Sequence, residues 1–226
     1  MARSCPPWVH ASTSSTKTPS RFATPAWTAL GAQLAVQLVT RAANPSTALF
    51  PGELQLDAAR VVTSSDPLTR VGAQAQLLDA LLGVADRTGN GQIRAAVAAG
   101  LAAVESPEIG LVDTGHGGWF FGVDADGSDL RTAYKETRSA WMLPLLQHAA
   151  RSGLPVAPGA SDDAERLVRD SMYLASSAGY VYRLAPDWTV YRDSGGAAPV
   201  AENWVSSEAT GIAVNTLLGD LNSDGG

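Results

Sequence analysis

Apolar residues recur at helical spacing in six stretches of the 226-residue chain. Trp27, Leu30, Leu34 and Leu38 mark the first, and Val71, Ala75, Leu78, Leu82 and Ala85 the second. Ile93, Val97, Leu101 and Val104 mark the third. The fourth, residues 140–146, is apolar on every side, as a helix buried all round is, and Pro144 within it predicts a kink. Leu167, Ser171, Leu174 and Ala178 give the fifth; Val205, Ala209, Ile212 and Thr216 give the sixth. The odd-numbered helices are predicted to begin near residues 26, 91 and 161 and the even-numbered ones near 68, 135 and 204. Each class therefore repeats after 65–70 residues. A fixed period of this kind predicts one helical hairpin per unit. Thr69-Arg70 and Thr137-Arg138 stand eight residues before Leu77-Leu78 and Leu145-Leu146, an echo between units.

Period-two, aromatic-rich segments interrupt the second and third units. Residues 117–123 (GGWFFGV) read as a strand followed by the turn Asp124-Ala125-Asp126-Gly127. Tyr180–Arg183 pairs in the same reading with Trp188–Tyr191 across Ala185-Pro186-Asp187. Such hairpins at one end of successive helical pairs collect on one face, where the site of such a fold is expected. The fold class predicted is all-α, an incomplete (α/α) toroid of about three helical hairpins with short β-hairpin insertions. The domain occupies residues 25–221, between a disordered leader over 1–24, rich in Ser, Thr and Pro, and a tail over 222–226. The leader has no apolar core of the length a secretory signal needs.

Composition narrows the partners. The chain is 45% hydrophobic and 17% charged, enough for a real core. All 22 acidic residues lie beyond residue 52, with 12 of the 16 basic ones, so the body is acidic and nucleic acid is not an expected partner. No apolar run reaches membrane-span length, which gives no membrane partner and a cytoplasmic location by default. The single cysteine, Cys5, excludes an internal disulfide framework. The sequence has no phosphate-binding glycine loop, no His-Glu-x-x-His and no Gly-x-Ser-x-Gly, so neither a metal nor another cofactor is expected. Asp220, Asn222 and Asp224 match the start of an EF-hand-type calcium loop, but its bidentate acid is absent.

The order Gly-Gly-Trp-Phe-Phe at 117–121, Tyr134-Lys135-Glu136-Thr137-Arg138, the hairpin 180–193 and Trp204-Val205-Ser206-Ser207-Glu208 resembles the six-hairpin glycosidases. Over roughly residues 60–220 it looks most like glycoside hydrolase family 76, the endo-α-1,6-mannanases. That family carries an adjacent Asp-Asp pair where this chain reads Ser65-Asp66. The resemblance implies a ring of six hairpins, of which three are present. A half-ring leaves apolar inner-helix surface open, including that of the fourth helix, and is expected to self-associate or to need the remainder of the ring.

Carboxylate chemistry follows from that resemblance. Hydrolysis of a glycoside uses two carboxyls about 5–5.5 Å apart for retention or about 6.5–9.5 Å apart for inversion. The candidate catalytic residues are Asp66, Asp124, Glu136 and Glu208. Asp66 also reads as the N-cap of the second helix, with Pro67 at its first position. Asp124 also reads as a solvated turn residue, and Glu136 and Glu208 as first-turn helix residues. Candidate sugar contacts are His116, Trp119, Phe120, Trp188, Trp204, Asp113 and Arg138. His148 reads as a satisfied core or helix-end residue, and Arg70 and Arg138 as carboxylate partners within the ring. The expected function is hydrolysis of a mannan-like or other polysaccharide. The alternatives are a sugar epimerase-like toroid, whose proton-transfer groups would be histidines, and an inactive carbohydrate-binding fragment.

Overall fold

The computed structural model describes residues 25–56, 62–176, 178–191 and 206–223. The leader over 1–24, Trp204 and residues 224–226 lie outside the described residues. The described residues contain six α-helices: α1 (Pro25–Arg41), α2 (Val71–Thr88), α3 (Gly91–Val104), α4 (Met142–Arg151), α5 (Ala160–Arg166) and α6 (Ser207–Ser223), with the fifth apolar stripe falling beyond α5. The even-numbered helices form one row, α2 against α4 and α4 against α6, with α1 and α3 packed on α2 and α5 on α4. The result is an all-α, incomplete (α/α) toroid with short β insertions. Every position of the α2 stripe is buried, as are Ile93, Val97, Leu101 and Val104 of α3 and Ala209, Ile212 and Thr216 of α6. The chain turns between α2 and α3 through Asn90, whose side chain accepts the N–H groups of Gln92 and Ile93 at 3.0 Å.

Several elements differ from the sequence pattern, each for a local reason. Leu30 and Leu34 of α1 are 43% and 62% exposed, since among the described residues α1 packs on α2 and α3 through its other face. The fourth helix, expected to show an open side, is buried instead: Met142, Leu143, Leu145, Leu146 and Ala149 are all at most 1% exposed. It sits at the centre of the arc, with α2, α5 and α6 covering it. Pro144 lies at the start of this helix. It is the third residue of α4, where the missing N–H has no intrahelical acceptor to lose. A 3₁₀ segment, Thr137–Trp141, precedes α4. The fifth stripe ends early, since α5 passes into a π turn at Leu167–Ser171 and Leu174 falls in a strand.

Among the described residues, eight short strands make four two-stranded antiparallel ladders. β1 (Glu53–Leu56) pairs with β2 (Val62–Asp66), and β6 (Tyr173–Leu174) with β7 (Gly179–Tyr180). The other two ladders join distant parts of the chain. β3 (Leu68–Arg70) pairs with β4 (Gly122–Asp124), and β5 (Lys135–Glu136) with β8 (Arg183–Leu184). Two predicted helix starts, near 68 and near 135, are therefore strands that feed α2 and the 3₁₀ segment. The 117–123 strand is only Gly122–Asp124, and its partner is β3 rather than a neighbouring hairpin strand. The hairpin across 185–187 is present, closed by Leu184 opposite Val190 and by the Ala185 N–H on the Thr189 carbonyl at 2.7 Å.

Candidate functional site

The three inner helices start at the same end of the arc, and their first turns bring three charged side chains to its mouth. Arg70 is the residue before α2, Arg138 lies in the 3₁₀ segment before α4, and Glu208 is in the first turn of α6. Packing at the mouth is tight: a Cβ placed on Gly72 would lie 2.5 Å from the Arg138 Cβ. Arg138 donates to Glu208 Oε1 from Nε at 3.0 Å and from a terminal nitrogen at 2.5 Å. That carboxylate holds Arg138 charged. Arg70 pairs with Asp66 at 3.3 Å, so both echoed arginines bind carboxylates. Asp66 is not an N-cap: it closes β2, accepts the Leu68 N–H at 3.0 Å and leaves α2 to begin five residues later.

Side chains alternate across a strand, and β5 uses this to separate two clusters. Glu136, 4% exposed and in a strand rather than a helix turn, faces the mouth. The Tyr182 phenol bonds it, and burial together with that bond pushes the phenol up and keeps it protonated. Tyr182 also lies under Arg138, whose guanidinium carbon is 5.9 Å from its ring centre. Beside them, Tyr134 stacks between Phe121 at 4.9 Å and Tyr191 at 5.1 Å, and Arg183 lies 4.2 Å over Tyr134.

On the other side of β5, Lys135 is wholly buried. Its Nζ donates to Asp113 Oδ2 at 2.5 Å and to the Pro186 carbonyl at 2.6 Å. It sits 4.8 Å from the Trp188 ring centre and 5.5 Å from that of Phe120. His116 Nδ1 is 3.5 Å from the same Asp113 oxygen, and Trp188 Nε1 donates to the His116 carbonyl at 2.7 Å. Burial alone would raise the Asp113 carboxyl. The Lys135 bond and the N–H groups of His116 and Gly115 outweigh it and hold the group below the usual carboxylate range. Gly117 and Gly118 have φ of +83° and +73°, and the Gly118 N–H reaches Asp163 Oδ2 at 2.8 Å. This cluster ties the 111–121 loop to the 183–191 hairpin and to α5.

The sequence candidates thus fall into separate places. Glu136, Glu208 and Arg138 meet at the mouth, with Asp66 beside them through Arg70. Asp113, His116, Phe120 and Trp188 surround Lys135. Trp119 is 3% exposed and part of the main core, so it is no platform for a sugar. Asp124 belongs to β4 and faces Arg131 at 3.9 Å, rather than standing in the solvated turn; Asp126 stands there. His148 is satisfied, with Nδ1 2.7 Å from Asp79 and Nε2 3.1 Å from Asp86, well along α2 from the mouth. Sequence reading missed Lys135, Phe121, Tyr134, Tyr182, Arg183 and Tyr191 as candidates. Their signal was alternation over residues too few to show a period. Among the described residues, no group of three His, Cys, Asp or Glu side chains gathers to hold a metal, and no helix is long and apolar enough to cross a membrane.

No family model matches the sequence, and no curated protein does. Solved structures do match. A cellobiose 2-epimerase from Spirochaeta thermophila DSM 6192 aligns with a TM-score of 0.60 at 17% identity over 90% of this chain and 51% of that one. A D-mannose isomerase aligns with a TM-score of 0.62 at 11% identity over 92% of this chain and 50% of that one. The chain spans about half the length of these structures. At such identities the likeness is one of fold, and that fold is the incomplete (α/α) toroid.

Proposed function

We propose that the mouth of the arc binds a sugar and contributes to proton transfer of the epimerase or isomerase type. The observation that carries this reading is the linked set Glu208–Arg138 and Tyr182–Glu136 at the starts of the inner helices. Moving a proton next to a sugar carbonyl produces an enediolate, which needs a fixed cation or donor at the developing oxyanion. Arg138 supplies the cation, and the Tyr182 phenol, which gives its one proton to Glu136, orients that carboxylate. Glu136 is the buried carboxylate we assign to proton transfer, since neither described histidine is at the mouth. The two solved structures, named for epimerisation and isomerisation, support the same chemistry. Hydrolysis by the mannanase route has less support, because the adjacent Asp-Asp pair of that family is replaced by Ser65-Asp66 and Glu208 is held by Arg138.

Saturation-transfer NMR with mannose and with cellobiose tests binding, and exchange of the C2 proton in D₂O tests the chemistry. Transfer and exchange are expected for the unaltered protein and should be lost in Arg138→Ala. Reducing ends released from mannan without C2 exchange would favour hydrolysis instead.

A further inference from the structure

Three guanidinium groups gather at the mouth, and two of them are neutralised. Arg70 has Asp66, and Arg138 has Glu208. Arg183 has no carboxylate within 4.0 Å and no hydrogen-bond acceptor among the described residues. Its Nε is sealed from solvent without a partner, under the rings of Tyr134 at 4.2 Å and Tyr182 at 5.5 Å. Glu136 is its cross-strand partner in the β5–β8 ladder, where an ion pair would be the expected outcome. Glu136 is instead bonded to Tyr182, and the guanidinium carbon lies 4.2 Å from the Tyr134 ring centre.

A half-buried cation without a counter-ion among the described residues, in a cluster whose other cations are paired, is a group open to an acceptor. The aromatic faces attract the charge but supply no acceptor for its N–H groups. The terminal nitrogens present a planar fork, and the ligand that satisfies fork and charge together is an oxyanion with two oxygens to offer. A sugar hydroxyl would accept one hydrogen bond and leave the charge unneutralised.

We infer that Arg183 is a specificity-determining residue for an anionic sugar, one bearing a carboxylate or a phosphate, bound at the mouth. The inference rests on the proposed sugar-binding role of that face and adds the charge of the ligand to it.

Titration calorimetry of the full chain with glucose, glucuronate and glucose 6-phosphate tests it. At least one anion should bind about tenfold or more tightly than glucose, the scale of one charge-assisted bond. Arg183→Gln should bring that anion to within about twofold of glucose measured on the same variant. Arg183→Lys, which keeps the charge without the planar fork, should retain part of the preference. Preference for glucuronate identifies a carboxylate ligand, and preference for glucose 6-phosphate a phosphate. Glucose binding as tightly as both anions would overturn the inference while leaving the sugar-binding reading intact. An anion preference that survives in Arg183→Gln would overturn it as well. Absence of binding by all three would overturn both.

Discussion

Burial pushes the Lys135 ammonium below the usual lysine range, and the company it keeps opposes that shift. Asp113 and the Pro186 carbonyl take its N–H donors, and two aromatic faces lie against it. Removing the cation alone leaves a buried carboxylate without its partner. Lys135→Met should therefore cost about 3–5 kcal/mol in a urea unfolding experiment, and adding Asp113→Leu should restore much of it. The same pair sets an acid limit. Because the Asp113 carboxyl is depressed in the folded state, the unfolded chain takes up its proton first as pH falls. Its contribution is whole above the ordinary carboxylate range and fades as pH drops through that range toward the folded value. Melting temperatures between about pH 7 and 3 should fall on this side, and Asp113→Asn should flatten the slope. An unchanged slope in that variant would assign the acid sensitivity elsewhere.

The same logic of close contact governs how elements meet. Gly72 lets the first turn of α2 lie against the 3₁₀ segment, with Arg138 backbone and Cβ atoms 2.5–2.7 Å from where a Cβ would stand. Gly72→Ala should destabilise the fold by about 1–3 kcal/mol, the range for overpacking, and loosen the Arg138–Glu208 pair. Circular dichroism melts measure the first effect, and weakened sugar binding the second. The elements legible in the sequence are those with enough turns to show a period. Val71, Ala75, Leu78, Leu82 and Ala85 announced α2, and Ile93, Val97, Leu101 and Val104 announced α3. The short strands were not legible. Lys135-Glu136 and Leu68–Arg70 are strands only because partners dozens of residues away bond them, and two or three residues carry no alternation to read. Trp119 misled for a related reason: its strand-like neighbours suggested exposure, but it turns into the core. Arg70 and Arg138, repeated at equivalent places, and the candidate acids Asp66, Glu136 and Glu208 were the parts of the mouth visible beforehand.

At the scale of the whole molecule, the arc has two unlike ends. Leu30 and Leu34 on α1 are exposed at one end, and Val214 on α6 is 45% exposed at the other. Apolar surface at both ends of an open arc favours contact between copies. Light scattering at tens of micromolar should show species larger than one chain, and Leu34→Glu should lower their mass. A single monomeric species at that concentration would contradict the expectation.

The two long-range ladders, β3 with β4 and β5 with β8, have a consequence for the order of assembly. Tandem helical hairpins that touch only their neighbours can form and peel apart one at a time. Here β3, at the head of α2, is paired beyond α3, and β5, at the head of α4, is paired beyond α5. Each stitch closes only after the intervening helices have been gathered, and a large loop is costly to close early. The arc is thereby expected to fold slowly for a helical protein and to unfold in one transition, with the mouth as the last part to form and the first to open.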